Sequence, residues 1–276
     1  MKILAIGDFH GKFPAKLQKE AKKADFIISQ GDFADTGKIR KIIFKCWTTK
    51  YWADTVGKKK ARELEKEGFD SGFEVLKKLN SLGKKVFIIW GNCDFYKGIG
   101  TDELAPGTFN DKIKNMKNIV LVERKKKKIN SLEIAGFGGY LDITDYIKHP
   151  IDEDKKKQKR RLKRYKKFER ELFEIFRKKK PKKNFILLIH YTPYKILDKI
   201  KNKESPMHGR NAGFEPYNKI IKKYKPILAI CGHMHEYQGM KKLGKTTIIN
   251  PGPAYKGKAA LIDIEGQKIK SVKFLK

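Results

Sequence analysis

Four of the six histidines in the chain, His10, His190, His233 and His235, stand beside glycines or acids directly after short apolar runs. Asp8 follows the first run, Asp32 the second, and Asn92 and Asp94 the third. Imidazole nitrogens and carboxylate or amide oxygens are the donors that first-row divalent cations accept. Loops at the carboxyl ends of strands are also where open α/β sheets place their ligands. Each motif alone has an ordinary reading. Asp8-Phe9-His10 can be surface polar residues, and Gly31-Asp32-Phe33-Ala34-Asp35 and Gly91-Asn92-Cys93-Asp94 can be turns. A lone His190 is more often a satisfied core histidine. Gly232-His233-Met234-His235 is the stronger signal, because two imidazoles on alternate residues after a buried strand are uncommon.

Such residues need strands that end where the motifs begin. Residues 2–7, 25–30 and 86–90 are near-continuous apolar runs, as expected of strands covered on both faces. Helical spacing between them, at Ile39, Ile42, Ile43 and Trp47 and again at Phe73, Leu76 and Leu79, makes the first ninety or so residues alternate strand and helix. Further strands are expected at 119–122 and 132–135, bracketing the lysine run 125–128, and at 185–189 and 227–231. Strands at 246–249, 259–264 and 269–274 lie close together and suggest an antiparallel ending. Phe214, Tyr217, Ile220, Ile221 and Tyr224 share one helix face. Residues 152–183 are dense in Lys and Arg, with Leu162, Tyr165, Phe168, Leu172, Ile175 and Phe176 recurring every three or four positions. That pattern is an amphipathic helix with a basic outer face. The basic face reads either as solvated surface or as a platform for phosphates.

The net charge is +34, from 65 Lys and Arg against 31 Asp and Glu. Heat adaptation enriches Lys and Glu together, so it would bring more matching acids than are present. A polyanionic partner, nucleic acid or nucleotide, is the sharper reading. No apolar run approaches the ~18 residues of a membrane span, and no signal peptide is visible. Cys46, Cys93 and Cys231 are odd in number and widely spaced, which suggests a reducing compartment, and the expected location is cytoplasmic.

Taken together, Asp-x-His, Gly-Asp-x-x-Asp, Gly-Asn-x-Asp, His and Gly-His-x-His, each after a strand and in this order, resemble the calcineurin-like metallophosphoesterase superfamily. The resemblance runs from Met1 to about Gly252. Asn250-Pro251-Gly252, His190-Tyr191-Thr192-Pro193 and His208-Gly209 are similar to those of a small prokaryotic, archaeal-type subgroup. The resemblance implies an α/β fold: a four-layer α/β/β/α sandwich of two mixed sheets flanked by helices. It implies one metallophosphoesterase domain over 1–276, with 36–83 and 140–183 long enough to be cap insertions. It implies two divalent metals, with manganese expected and Fe, Zn, Ni or Co allowed by the donor set. Asp8, His10 and His235 would hold one metal, Asn92, His190 and His233 the other, and Asp32 would bridge them. Two cations ~3.5–4 Å apart would share a water, lower its pKa and direct the hydroxide at a phosphate ester.

The sequence departs from the family at Cys93, where many members carry a histidine that serves the leaving group with Asp94 behind it. A thiol of pKa ~8.5 is a poorer proton donor, so phosphodiesters or good leaving groups are expected substrates. His208 is a candidate phosphate-binding group or acid, and equally an exposed loop histidine. A nuclease or phosphodiesterase guided by the basic helix is one alternative. A non-catalytic interaction module of the same fold is another, although the complete ligand set argues against it.

Overall fold

The computed structural model describes residues 1–47, 49–97, 104–142, 146, 155–178, 181, 184–266 and 268–276. Strand β1 (Lys2–Ala5) alternates its side chains between two cores, as the period of two requires: Ile3 and Ala5 face one, Leu4 the other. Parallel strands β2 (Phe26–Ser29), β3 (Val86–Ile88) and β4 (Ile119–Leu121) extend the sheet on one side of β1. Antiparallel β11 (Ala259–Glu265) and β12 (Lys268–Leu275) extend it on the other. The second sheet runs β5 (Lys125–Ile129), β6 (Leu132–Phe137), β7 (Phe185–Ile189), β8 (Leu228–Ile230), β10 (Thr246–Asn250) and β9 (Gly239–Leu243).

Three apolar layers hold these sheets in a sandwich. Ile3, Ile28 and Phe87 of the first sheet meet Ile134, Leu188 and Ile230 of the second in a fully apolar seam. Helices α1 (Ala15–Ala21) and α4 (Lys58–Asn80) cover the outer face of the first sheet through Leu17, Val75, Leu76 and Leu79. Helices α6 (Lys155–Lys178) and α7 (Glu215–Tyr224) cover the second sheet through Phe168, Leu172, Phe176, Tyr217 and Ile220. The order is therefore helix, sheet, sheet, helix, and both sheets are mixed, as the sequence resemblance implied. Short helices α2 (Gly37–Lys45) and α3 (Trp52–Val56) pack with α4 in a separate cluster around Ile39, Trp52 and Leu64. A further short helix, α5 (Phe109–Lys112), precedes β4.

Three expectations change. The lysine run is itself a strand: β5 hairpins with β6 through Asn130 in the left-handed region, and a sheet edge tolerates lysines because one side meets water. Of the expected antiparallel trio, only β11 and β12 pair with each other; β10 lies in the other sheet, parallel to β8 and antiparallel to β9. Strand β9 has the sequence GMKKL, whose apolar content is too low to mark a strand before its partner is known. The apolar seam of α6 also ends early: Leu162 is 50% exposed while Phe168 and Leu172 are buried. The two ends of the expected helix, 152–154 and 179–183 apart from 181, lie outside the described residues.

Candidate metal centre

The motif loops emerge from the carboxyl ends of β1, β2 and β3 in one sheet and β7 and β8 in the other, so the sandwich brings them to one rim. Tight turns follow. Asp8, His10, Asp32 and His233 have φ of 51°, 41°, 55° and 65°, an uncommon conformation for residues bearing a Cβ. Such strain persists only where surroundings enforce it, and here they do. Asp94 is buried, and its two oxygens accept backbone N–H groups of Asp32, Phe33, Ala34 and Gly91 at 2.9, 2.7, 3.4 and 2.7 Å. Two motif glycines make the remaining room. A Cβ on Gly91 would overlap the Asp32 carboxylate, and one on Gly232 would lie 2.6 Å from Asp8 Oδ2.

Two groups of donors result. Asp8, His10, Asp32 and His235 form one, Asp32, His190 and His233 the other, and in each the ligand atoms lie within 4.8 Å of one another. Asp32 belongs to both. Its Oδ2 lies 3.7 Å from His10 Nε2 and its Oδ1 3.6 Å from His190 Nε2, while Oδ1 also accepts the Cys93 N–H at 2.8 Å. Asn92 joins the second group, with Oδ1 2.7 Å from both His190 Nε2 and His233 Nδ1. His190 Nδ1 lies 2.8 Å from the Gln30 carbonyl, which can only accept, so Nδ1 carries the proton. In the neutral form that a metal-ligating histidine must have, Nε2 then presents a lone pair to the Asn92 oxygen, another acceptor. A cation between them resolves that opposition, and the hydrogen bond to Gln30 orients the ring as metal-ligating histidines require.

The electrostatics fit the same group. Burial pushes the Asp8 carboxyl up, but the hydrogen bond and charge of His235 outweigh it and hold Asp8 well below the usual carboxylate range. Burial likewise raises Asp32, and His190 draws it below its ordinary value. His10 is lowered to about 4 by burial and then by repulsion from His235, and His233 to about 3 by burial and then His190. Two buried carboxylates beside His10 and His233, whose imidazoles are held in the neutral form, are an environment for cations. The donor set, oxygen and imidazole nitrogen, suits two divalent metals.

Other expected residues sit differently. Cys93 is beside the cluster, but burial, then the Asp32 charge, push its thiol well up. Burial and the charge of Asp32 push Asp94 up to about 7, against its N–H donors. Asp94 braces backbone, which is a different task from standing behind residue 93. His208 is exposed on the 201–213 loop, with Nδ1 donating to the Asn202 carbonyl at 3.1 Å. Among the described residues no hydrogen bond joins it to the donor groups. Its neighbour Met207 packs with Met234, between the two histidines of the Gly-His-x-His motif, so the loop itself adjoins the rim.

Residues 1–274 match the model of a metallophosphoesterase family of the calcineurin superfamily. The chain belongs to this family. Its chemistry is metal-dependent hydrolysis of a phosphoester, and the two donor groups are compatible with a dimetal site. This metallophosphoesterase is 26% identical over 261 residues to MJ1162 of Methanocaldococcus jannaschii, an uncharacterized protein, covering 92% of this chain and 88% of the other. One crystal structure resembles it with a TM-score of 0.67 at 21% identity, covering 100% of this chain and 99% of that one. The phosphopantetheinyl hydrolase of Mycobacterium tuberculosis resembles it with a TM-score of 0.51 at 12% identity, covering 93% and 92%. Both likenesses are of fold.

Three residues around the metallophosphoesterase centre, Gln30, Tyr255 and Arg40, carry no motif signal, and Tyr191 entered the sequence motifs only as the neighbour of His190. Gln30 supplies the carbonyl for His190. Tyr191 lies 4.6 Å from the His233 ring and 5.1 Å from His190, with its hydroxyl bonded to the Leu141 backbone. Tyr255 sets its ring edge-on to His10 and His235 at 5.5 and 5.7 Å. Arg40, exposed on α2, is close enough that its charge lowers both His10 and Cys93.

Proposed function

We propose that this metallophosphoesterase hydrolyses phosphodiesters in preference to alkyl monoesters, with Asp8, His10 and His235 holding one divalent metal, Asn92, His190 and His233 a second, and Asp32 bridging. The observation that carries the reading is the membership of Asp32 in both donor groups, with its two oxygens turned to different histidines. Two bound cations would supply a water of lowered pKa and draw charge from the phosphoryl oxygens. The Cys93 N–H and the Asp94 brace hold Asp32 in place. Asn92 offers a neutral oxygen, which leaves its metal more electrophilic than a carboxylate would. Arg40 adds a positive charge for the phosphoryl oxygens from the side of α2. The Cys93 thiol stays protonated and gives up its proton reluctantly, so a leaving group that departs without protonation is favoured. Manganese is the metal expected to restore activity. Within the segments 36–83 and 140–183, α4 and the second half of α6 cover the sheets, so α2, α3 and the first half of α6 are the parts that read as caps shaping substrate choice.

The test is to strip the protein with chelator, restore Mn²⁺, Ni²⁺ or Zn²⁺ singly, and assay bis-p-nitrophenyl phosphate and p-nitrophenyl phosphate side by side. Metal-restored diester hydrolysis that Asp32→Ala abolishes is the expected outcome. Equal loss of metal affinity without loss of turnover in that variant would remove the bridging role. Cys93→His should raise the monoester rate relative to the diester rate, and an unchanged ratio would end the argument from Cys93. Arg40→Ala should raise KM several-fold with a smaller effect on kcat, and an unchanged KM would exclude Arg40 from substrate binding.

A further inference from the structure

A cavity of about 400 Å³ opens between the α2–α3 segment and the first half of α6. One wall carries Trp47, Tyr51 and Trp52, and the other carries Lys157, Arg160, Arg161 and Arg164. Lys50 adds a fifth cation, and Asp142 is the one acid among the lining residues. The four α6 cations stand at i, i+3, i+4 and i+7, which is a single helix face. This is the same half of α6 in which the apolar seam ends and Leu162 turns to solvent. The aromatic wall stands opposite the cationic face of α6.

The two walls ask for different halves of one ligand. Guanidinium forks match phosphate oxygens in pairs. Tyr51 is 47% exposed and Trp47 is half-buried, so both offer ring surface, whereas Trp52 is buried in the α2–α4 cluster and forms the floor. Aromatic planes beside cationic side chains are how proteins stack bases while tracking phosphates. The volume suits one nucleotide rather than an inorganic ion. We propose that this cavity is a nucleotide subsite, with a base against Trp47 and Tyr51 and its phosphate on Arg160, Arg161 and Arg164.

The subsite lies beside the metal centre. Trp47 also packs on the cluster that contains Met234, between His233 and His235. Asp142 follows Leu141, whose backbone is held by the Tyr191 hydroxyl, and Tyr191 abuts His233. A chain occupying the cavity can thus reach the rim where the donors converge. Free nucleotides and single-stranded nucleic acid share the base-plus-phosphate chemistry.

Binding is measured by calorimetry on chelated full-length protein, so the result does not depend on metal-supported hydrolysis. AMP should bind saturably and about tenfold or more tighter than adenosine or ribose 5-phosphate, because each lacks one half of the match. Arg160→Ala/Arg164→Ala and, separately, the exposed Tyr51→Ala should each weaken AMP about tenfold. Melting temperature should be unchanged in both variants, which separates lost binding from lost folding. A short oligothymidylate binding much tighter than AMP would identify a nucleic-acid chain as the source. Equal or weaker binding of the oligomer would identify a free nucleotide. No saturable AMP binding, ribose 5-phosphate binding as tightly as AMP, or wild-type affinity in both variants would each overturn the subsite.

Discussion

Asp94 shows how one carboxylate organises a site without touching the donors' chemistry. Its two oxygens each accept two of four N–H groups from the turns that carry Asp32 and Gly91. In Asp94→Asn an amide N–H₂ would face donors that only donate, so about two hydrogen bonds are lost inside a buried turn. The expected cost is about 2–4 kcal/mol, read as a lower melting temperature of the chelated protein, and an unchanged melt would contradict the brace. His10 makes a second prediction at this scale. Its folded pKa, about 4, lies below the 6.5 of a free histidine, so the unfolded chain takes up the proton first as pH falls. The stability is intact above pH 6.5 and is lost progressively toward pH 4. Asp94, raised to about 7, acts in the opposite sense over much of that window. Comparison with His10→Gln therefore isolates the histidine. The variant's stability should fall less steeply between pH 6.5 and 4.5, by about 1.4 kcal/mol per pH unit, and parallel slopes would refute the assignment.

Helix α6 divides into two halves with different tasks. Phe168, Leu172 and Phe176 close the core under the second sheet, while in the first half Leu162 is exposed and Lys157, Arg160, Arg161 and Arg164 line the basic cavity. Leu172→Ala should cost about 2–5 kcal/mol, as buried leucines do, whereas Leu162→Ala should stay within about 0.5 kcal/mol. Similar losses at both positions, measured by denaturant unfolding, would mean that the seam runs the full helix. The periodicity of the sequence showed the helix and its apolar face. It could not show where that face leaves the core, because the pattern of residues is the same whether or not a sheet lies opposite.

At the scale of the molecule, two sheets contribute to one rim: Asp8, Asp32 and Asn92 follow strands of the first, His190, His233 and His235 strands of the second. A ligand shared by both therefore joins the two halves of the sandwich. Metal that binds only the native arrangement should raise the unfolding free energy by about 2.7 kcal/mol at a free concentration one hundred times its dissociation constant. Chelator should reverse this gain, and Asp32→Ala should abolish most of it. A melting temperature insensitive to metal would mean that the donors do not hold a cation in the folded state. Among the described residues no helix is long and apolar enough to cross a membrane.

The candidate donors stood out in the chain through their combination, since each motif alone is ordinary but all of them follow apolar runs of Ile, Leu, Val and Phe in a fixed order. The sandwich followed from the resemblance that those motifs carried. The lysine strand β5 and the weakly apolar β9 were not legible, since an edge strand draws its order from the neighbour it pairs with. The same holds for Gln30, Tyr191, Tyr255 and Arg40, whose roles come from proximity across distant parts of the chain. Residue type and local period are written in the sequence. Which side of a turn meets which ring, and that α2 and α6 enclose one cavity, depend on long-range packing, and only the tertiary structure decides them.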